Sequence, residues 1–338
     1  MVRNTPEVKQ LNKELIRRAI QQNEKCTKVS ISKEANLSVA TCNTIFNEML
    51  EDGEIIRVDQ EEIYLGRPAS QFAYNPDYQH VLVMYIQNEQ GVNTIEYAVA
   101  DAVGNQIYRE QVHPEIITYD LIKNLVENIM KEDTLIQGMA FGIPGVSHHG
   151  VIEYCDVESM IGVDVAGQIQ GQFGIEVEIR NDMDFVSNGV YHTVFHHGGN
   201  LATMYFPMKK ASCVGCGFII DGKVLRGHSK FAGELSYIAE AFGISREKQA
   251  EMLMNRTAFR ELVAQMILIV CGTIDPEVIM LMGNEIDEED LAAIRKHCSK
   301  VISDKHIPRL IVDNRIAEYY INGLIRVALD QRQFPITQ

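Results

Sequence analysis

The run Ile175-Glu176-Val177-Glu178-Ile179-Arg180 alternates apolar and charged residues and stops at Asn181-Asp182, after which Met183 to Gly189 read as the start of a helix. A carboxamide and a carboxylate at the carboxyl end of a strand face the crevice where α/β sheets bind small molecules. There Asp182 could take a proton from a hydroxyl as a general base, or it could simply cap the helix that follows. A second group of residues offers different chemistry. Ser38, Thr41, Asn43 and Thr44 put short polar side chains at the start of another helix, where Asn43 can read adenine and the threonines can meet phosphate or a thymine methyl. Arg67, in Gly66-Arg67-Pro68, is a cation suited to phosphate or the minor groove.

Other reactive residue types are present without a supporting pattern. The seven cysteines form no dense framework, which points to a reducing compartment; Cys213 and Cys216 are close in sequence but have no second pair near them. His148-His149 and His196-His197 lack a carboxylate at helical spacing, so no metal site is expected. An apolar content of 46%, no apolar run long enough to span a bilayer and an amino terminus without an apolar signal core point to a cytoplasmic globular protein. The net charge of −15 argues against nucleic acid wrapping the whole surface. Residues 1–50, however, hold eight Lys/Arg against five Asp/Glu, which suits DNA binding at one end.

The elements that must position these groups follow from periodicity. Leu11, Leu15, Ile16 and Ile20 predict a first helix over 7–22, a second is expected from about Ser32 to Asn36, and a third starts at Ser38 with Cys42, Ile45 and Met49 inward. Two short helices joined by a tight turn are a helix-turn-helix. Glu54 to Val58 is expected to pair with Glu62-Ile63-Tyr64-Leu65 across Asp59-Gln60-Glu61 as a β-wing. The alternative for such a module is a protein contact. Beyond it, runs at 81–86, 94–100 and 106–109 predict an antiparallel meander, followed by a helix over 118–131 and a buried strand at 136–142 leading to Gly142-Ile143-Pro144-Gly145. Residues 159–174 read as a partly helical link, and alternating helices and strands fill the chain from 246 onward.

Asn12 with Leu15-Ile16, the turn Asn36-Leu37-Ser38-Val39-Ala40-Thr41 and Gly66-Arg67-Pro68 resemble the regulators of the ROK family (repressors, open reading frames and sugar kinases). The resemblance implies an α+β winged helix-turn-helix followed by a two-lobed α/β body of the actin-like ATPase, or sugar kinase, fold. Expected domains are 1–75, 76–185 closed by the C-terminal helix, and 186–338. It also implies that Gly145, Asn181, Asp182, Glu234 and Tyr237 line a sugar crevice, Asp182 matching the kinases' general base and Tyr237 standing where they have histidine.

The kinases' phosphate segments are altered. Tyr85-Ile86-Gln87-Asn88-Glu89-Gln90-Gly91 replaces an Asp-x-Gly-Gly-Thr-like turn, and Ala211-Ser212-Cys213-Val214-Gly215 replaces Gly-Thr-Gly-x-Gly. The expected protein is therefore a DNA-binding regulator of double-stranded DNA, a repressor, working as a homodimer or tetramer. It needs no cofactor and no membrane, and a sugar or sugar derivative is its expected effector. The rival readings are an ATP-dependent sugar kinase using Asp182 and a non-catalytic interaction scaffold.

Overall fold

Three amphipathic helices share one small core at the amino terminus. The computed structural model describes residues 5–58, 70–89, 91–195, 199–207, 214–283 and 285–331. In it α1 (Thr5–Gln21), α2 (Lys28–Glu34) and α3 (Val39–Glu51) bury Ile16, Ile20, Ile31, Cys42, Ile45, Phe46 and Met49 together. The third helix begins where Ser38 predicts, its side chain accepting from the Thr41 N–H at 3.1 Å. The second begins earlier than the spacing predicts, because Thr27 and Ser30 cap its start reciprocally. Asn36 then takes the left-handed turn at φ 52°.

Part of the wing lies among the described residues. Strand β1 (Ile55–Val58) pairs antiparallel with β2 (Gln71–Tyr74), in register Ile55 to Tyr74. Phe72 and Tyr74 anchor β2: both are buried in the head core, and Phe72 packs edge-on against Phe46 at 4.8 Å. Residues 59–65 lie outside the described residues, as does Arg67 with Gly66 and Pro68.

The inner face of α1 is in part the one predicted: Ile16 and Ile20 are buried, whereas Leu11 and Leu15 are exposed and Glu14 is buried. Glu54, fully buried beside β1, attracts that charged face: it receives Arg17, Lys13 at 3.0 Å and the Tyr74 hydroxyl at 3.2 Å. Removing one member of a buried ionic set strands the others. Glu54→Ala should therefore cost the head about 3 kcal/mol in a chemical melt; a loss below about 1 kcal/mol would show that the set is only a solvated surface network.

Two sheets with the same strand order make the body. The first combines β3 (His80–Glu89), β4 (Val92–Ala100) and β5 (Gln106–Val112) as the predicted meander with two parallel strands. After α4 (Tyr119–Glu132) comes β6 (Ile136–Ile143); then the hairpin β7 (Gly145–His148) and β8 (Val151–Cys155), α5 (Val165–Phe173) and β9 (Glu176–Asn181) complete the order β5-β4-β3-β6-β9. Helix α6 (Asp182–Val194) leads to the second sheet and runs across the expected boundary at 185.

There β10 (Leu201–Phe206), β11 (Gly215–Ile220) and β12 (Lys223–Val224) repeat the meander. Helices α7 (Leu235–Ala241), α8 (Arg246–Met254) and α9 (Arg256–Thr273) precede β13 (Val278–Gly283), and α10 (Glu288–Cys298) precedes β14 (Arg309–Val312). The order β12-β11-β10-β13-β14 matches the first sheet position for position. The final helix, α11 (Ile316–Gln331), packs against α6 and against β3 and β6, so the two helices fill the space between the sheets. None of the described helices is long and apolar enough to cross a membrane.

Candidate functional site

Helix α6 opens at the crevice because Asn181 caps it. The Asn181 carboxamide accepts the Met183 N–H at 2.8 Å and donates to the Gly145 carbonyl at 3.1 Å. One N–H and one lone pair of that side chain remain for a ligand. Gly145 is needed for a reason other than sugar approach: a Cβ there would collide with the Tyr154 carbonyl across the β7–β8 hairpin. The structure thus brings Gly145, Asn181 and Asp182 together, with the glycine serving the hairpin that frames them.

Asp182 accepts the same Met183 N–H at 2.7 Å, so the capping role is shared and its second oxygen is left over. Burial pushes its carboxyl up to about 7, the Met183 N–H pulls it down, and the negative charges of Asp156, Glu234 and Asp184 add to the rise. Glu234 is raised mainly by burial, against the pull of Arg246. It occupies the N-cap position of α7 without making a capping bond, so the helix does not consume its carboxylate. Asp156 follows β8 at the same crevice and reaches solvent; the sequence reading did not single it out, although a carboxylate just past a strand end is the signal that identified Asp182.

Tyr237 lies apart from this floor. It is 46% exposed on α7, with its ring 5.1 Å from Phe231 and the Arg246 guanidinium 4.1 Å from its centroid. The loop before it is tied across the crevice: Arg226 pairs with Asp184 at 3.1 Å and Glu178 at 3.3 Å, and Lys230 donates to the Ser147 carbonyl at 2.8 Å.

The first of the altered phosphate segments carries a tyrosine stack. Tyr85 stacks on Tyr320 of α11 at 4.2 Å and 15°, and its hydroxyl donates to Glu96, which Arg109 also holds. A Cβ on Gly142 would collide with the Tyr320 phenol, so that ring lies directly against the crevice turn. The Tyr320 hydroxyl is buried without a partner, and burial together with the Asp182 charge raises it well above an ordinary tyrosine. Nothing in the sequence pointed to Tyr320, whose partners lie far away along the chain. On the other lobe, the Val214 N–H is taken by the Ser236 hydroxyl at 2.9 Å; Ala211 to Cys213 lie outside the described residues.

No group of three or more His, Cys, Asp or Glu side chains among the described residues could hold a metal ion. Burial pushes the Cys216 thiol up. His148 and His149 contact each other edge-on at 4.3 Å, and His196 and His197 lie outside the described residues.

At the head, Ser38 and Thr41 share their hydroxyls at 2.9 Å, and Thr44 donates to the Ala40 carbonyl at 3.2 Å. Thr44 is exposed and Asn43 half-buried; Val39, not foreseen as a contact residue, stands 52% exposed at the same helix start.

Residues 85–242 match the ROK family, and residues 12–56 match a winged helix-turn-helix DNA-binding domain. The chain carries a ROK-family domain behind a winged helix-turn-helix. It is similar to a xylose repressor of Caldicellulosiruptor bescii, 24% identical over 68% of this chain and 59% of that protein, and so spans about three fifths of the relative's length. A ROK family transcriptional regulator described as a homologue of the E. coli MLC protein has a matching structure, with a TM-score of 0.74 and 18% identity over 95% of this chain and 96% of that one. A putative N-acetylmannosamine kinase from Listeria monocytogenes matches with a TM-score of 0.57 and 15% identity over 75% of this chain and all of its own. These likenesses place the fold, which regulators and kinases share.

The raised Asp182 fixes a sign for the stability of this ROK domain. The native state holds a proton where the unfolded chain, with an ordinary carboxylate, does not. The contribution is full below the ordinary carboxylate range and is lost as pH rises through about 7. Asp182→Asn should therefore stabilise by on the order of 1 kcal/mol at pH 8 and by much less at pH 5, read from thermal melts. Equal effects at both pH values would contradict the shift.

Proposed function

We propose that the protein is a DNA-binding transcriptional repressor whose ROK domain senses a small uncharged sugar and does not phosphorylate it. The observation that carries this reading is the pairing of an intact helix-turn-helix with a crevice that keeps Asn181, Asp182 and Glu234 while the two segments matching the kinases' phosphate turns are altered. Tyr85 and Tyr320 stack beside the crevice turn, and the Ser236 hydroxyl already occupies the Val214 N–H. A general base without a held donor cannot transfer phosphate. The clustered carboxylates also repel anions, which favours a neutral sugar over a sugar phosphate. A relative named for xylose agrees with that class.

In this reading Ser38, Thr41, Asn43 and Thr44 face the major groove and Arg67 meets phosphate or the minor groove. Asn181, Asp182 and Glu234 hold the sugar, Gly145 shapes the hairpin beside it and Tyr237 stands at the rim. Two copies pair the heads on a two-fold operator, since one module covers only a short half-site. The exposed Val8, Leu11 and Leu15 on α1 offer an apolar face for that pairing. Helix α11 is the route between sites: Tyr320 lies at its crevice end, and Asp330 near its other end feels the charge of Arg18 on α1. A sugar that favours one arrangement of α11 shifts the heads toward or away from operator spacing.

The test is fluorescence anisotropy on the DNA upstream of the protein's own gene across a salt series, with and without neutral sugars. Binding should fall with salt, weaken in Arg67→Ala and Thr44→Ala, and change on adding sugar. Absence of binding under every sugar condition would leave the scaffold reading. ATP-dependent phosphorylation of any hexose, lost in Asp182→Asn, would overturn the sensor reading. Sugar affinity carries its own pH signature: a hydroxyl donating to Asp182 needs the carboxylate ionised, so affinity should drop roughly tenfold from pH 8 to pH 6 in calorimetry. A flat profile would remove Asp182 from the contact.

A further inference from the structure

The loop 225–234 and the start of α7 hold two large aromatic side chains half in water. Phe231 is 49% exposed and Tyr237 46%, yet neither hangs loosely. Their rings lie 5.1 Å apart at 48°, and Arg246 covers Tyr237 with its guanidinium 4.1 Å from the ring centroid. The backbone beneath is fixed on both sides. Lys230, in a left-handed turn at φ 60°, reaches the Ser147 carbonyl of β7, and Arg226 is held by Glu178 and Asp184. Gly233, at φ 101°, presses against the Cys216 carbonyl so closely that a Cβ would collide with it. A rigid, exposed aromatic pair binds with little loss of conformational freedom.

Its position indicates what it binds. Glu234 lies midway between Phe231 and Tyr237 in sequence and shares Arg246 with Tyr237, while it also feels the charge of Asp156 at the crevice. The platform thus flanks Glu234 at the rim of the crevice. One face of a pyranose is lined with C–H groups and stacks on an aromatic ring, whereas its hydroxyls need acceptors such as Asp182 and Glu234. The crevice floor supplies the acceptors and the rim supplies the stacking surface, so the two together exceed what one sugar ring can use.

We infer that Phe231, with Tyr237, forms a second-ring subsite, and that the effector is an uncharged disaccharide whose first ring lies on Asn181, Asp182 and Glu234 and whose second ring stacks on Phe231. This rests on the sugar-sensing reading above. Phe231 would then set chain-length specificity while Asp182 and Glu234 set recognition of the first ring.

Calorimetry on the full-length protein tests it, with D-xylose and D-glucose compared against xylobiose, cellobiose and maltose. At least one disaccharide should bind roughly tenfold tighter than its monosaccharide, a gain expected from one aromatic stack. In Phe231→Ala that ratio should fall to near one, and Phe231→Tyr should restore it; circular dichroism confirms the folded state of each variant. Equal affinity for monosaccharides and disaccharides in the unaltered protein overturns the subsite but leaves the sugar reading standing, provided the monosaccharide contact depends on Asp182. Absence of binding by every sugar overturns both. A change of oligomeric mass in Phe231→Ala, measured by light scattering, would show the rings to be a subunit contact and would also overturn the proposal.

Discussion

The close crossing of α6 and α11 is the constraint on which the body depends. A Cβ on Gly189 would collide with the Tyr319 carbonyl, and a Cβ on Gly323 with the Phe185 carbonyl, so each helix presses its backbone into the other at a glycine. That approach lets a helix pair fit between two sheets and share one core with residues of both, from Val81 and Val83 on the first to Val278 and Met280 on the second. It also sets the crevice geometry. Because α6 begins at Asn181 and α11 brings Tyr320 to the same end, the distance between the two helices determines how near Tyr320 stands to Asp182. A side chain at either glycine would pry apart the core and the site at once.

The buried ionic set in the head does comparable work by other means. Glu54 draws Arg17 and Lys13 of α1 onto the strand that begins the wing, and Tyr74 on the partner strand completes the set. Ile16 and Ile20 of α1 face the head core as apolar periodicity suggests, while Glu14 and Arg17 turn toward Glu54 and Leu11 and Leu15 face out. Hydrophobic pattern decides burial only where no buried charge competes for the same face. Here a fully buried carboxylate shares the inner side of α1 with Ile16 and Ile20, and Leu11 and Leu15 are left exposed.

Much of the fold was legible because its signals are local. Alternation gave the meander at 80–112, Ser38 gave the start of α3, and the abrupt change after Ile179 gave the strand-to-helix turn that carries Asn181 and Asp182. What was not legible depends on partners far apart in sequence. The pairing of Ile55–Val58 with Gln71–Tyr74 depends on Phe72 and Tyr74 fitting a core made by α1 to α3, which no local signal announces. Tyr320 lies on an ordinary amphipathic helix and gains meaning only when folding stacks it on Tyr85. Asp156 was readable by the same strand-end logic as Asp182, but it stands after a short hairpin strand with few features of its own.

The contrast between the retained and the altered parts of the crevice bears on how one fold can serve regulators and kinases alike. Fold likeness does not discriminate, since regulator and kinase structures both superpose on this chain. The difference lies in what fills the space beside the general base. In a phosphoryl-transfer site, backbone N–H groups and open glycine turns must be free to receive oxygen anions. Here the corresponding N–H of Val214 is satisfied internally by Ser236, and two stacked phenols stand beside Gly142. Asp182 nevertheless stays, at a cost, with its carboxyl near neutrality and an unpartnered Tyr320 hydroxyl close by. A buried carboxylate that destabilises the empty protein above neutral pH gains most from a ligand hydroxyl, because that hydrogen bond supplies the solvation the fold withholds. The same burial that would poise a catalyst leaves Asp182 ready to gain from a ligand hydroxyl, and α11 brings Tyr320 to that end of the crevice.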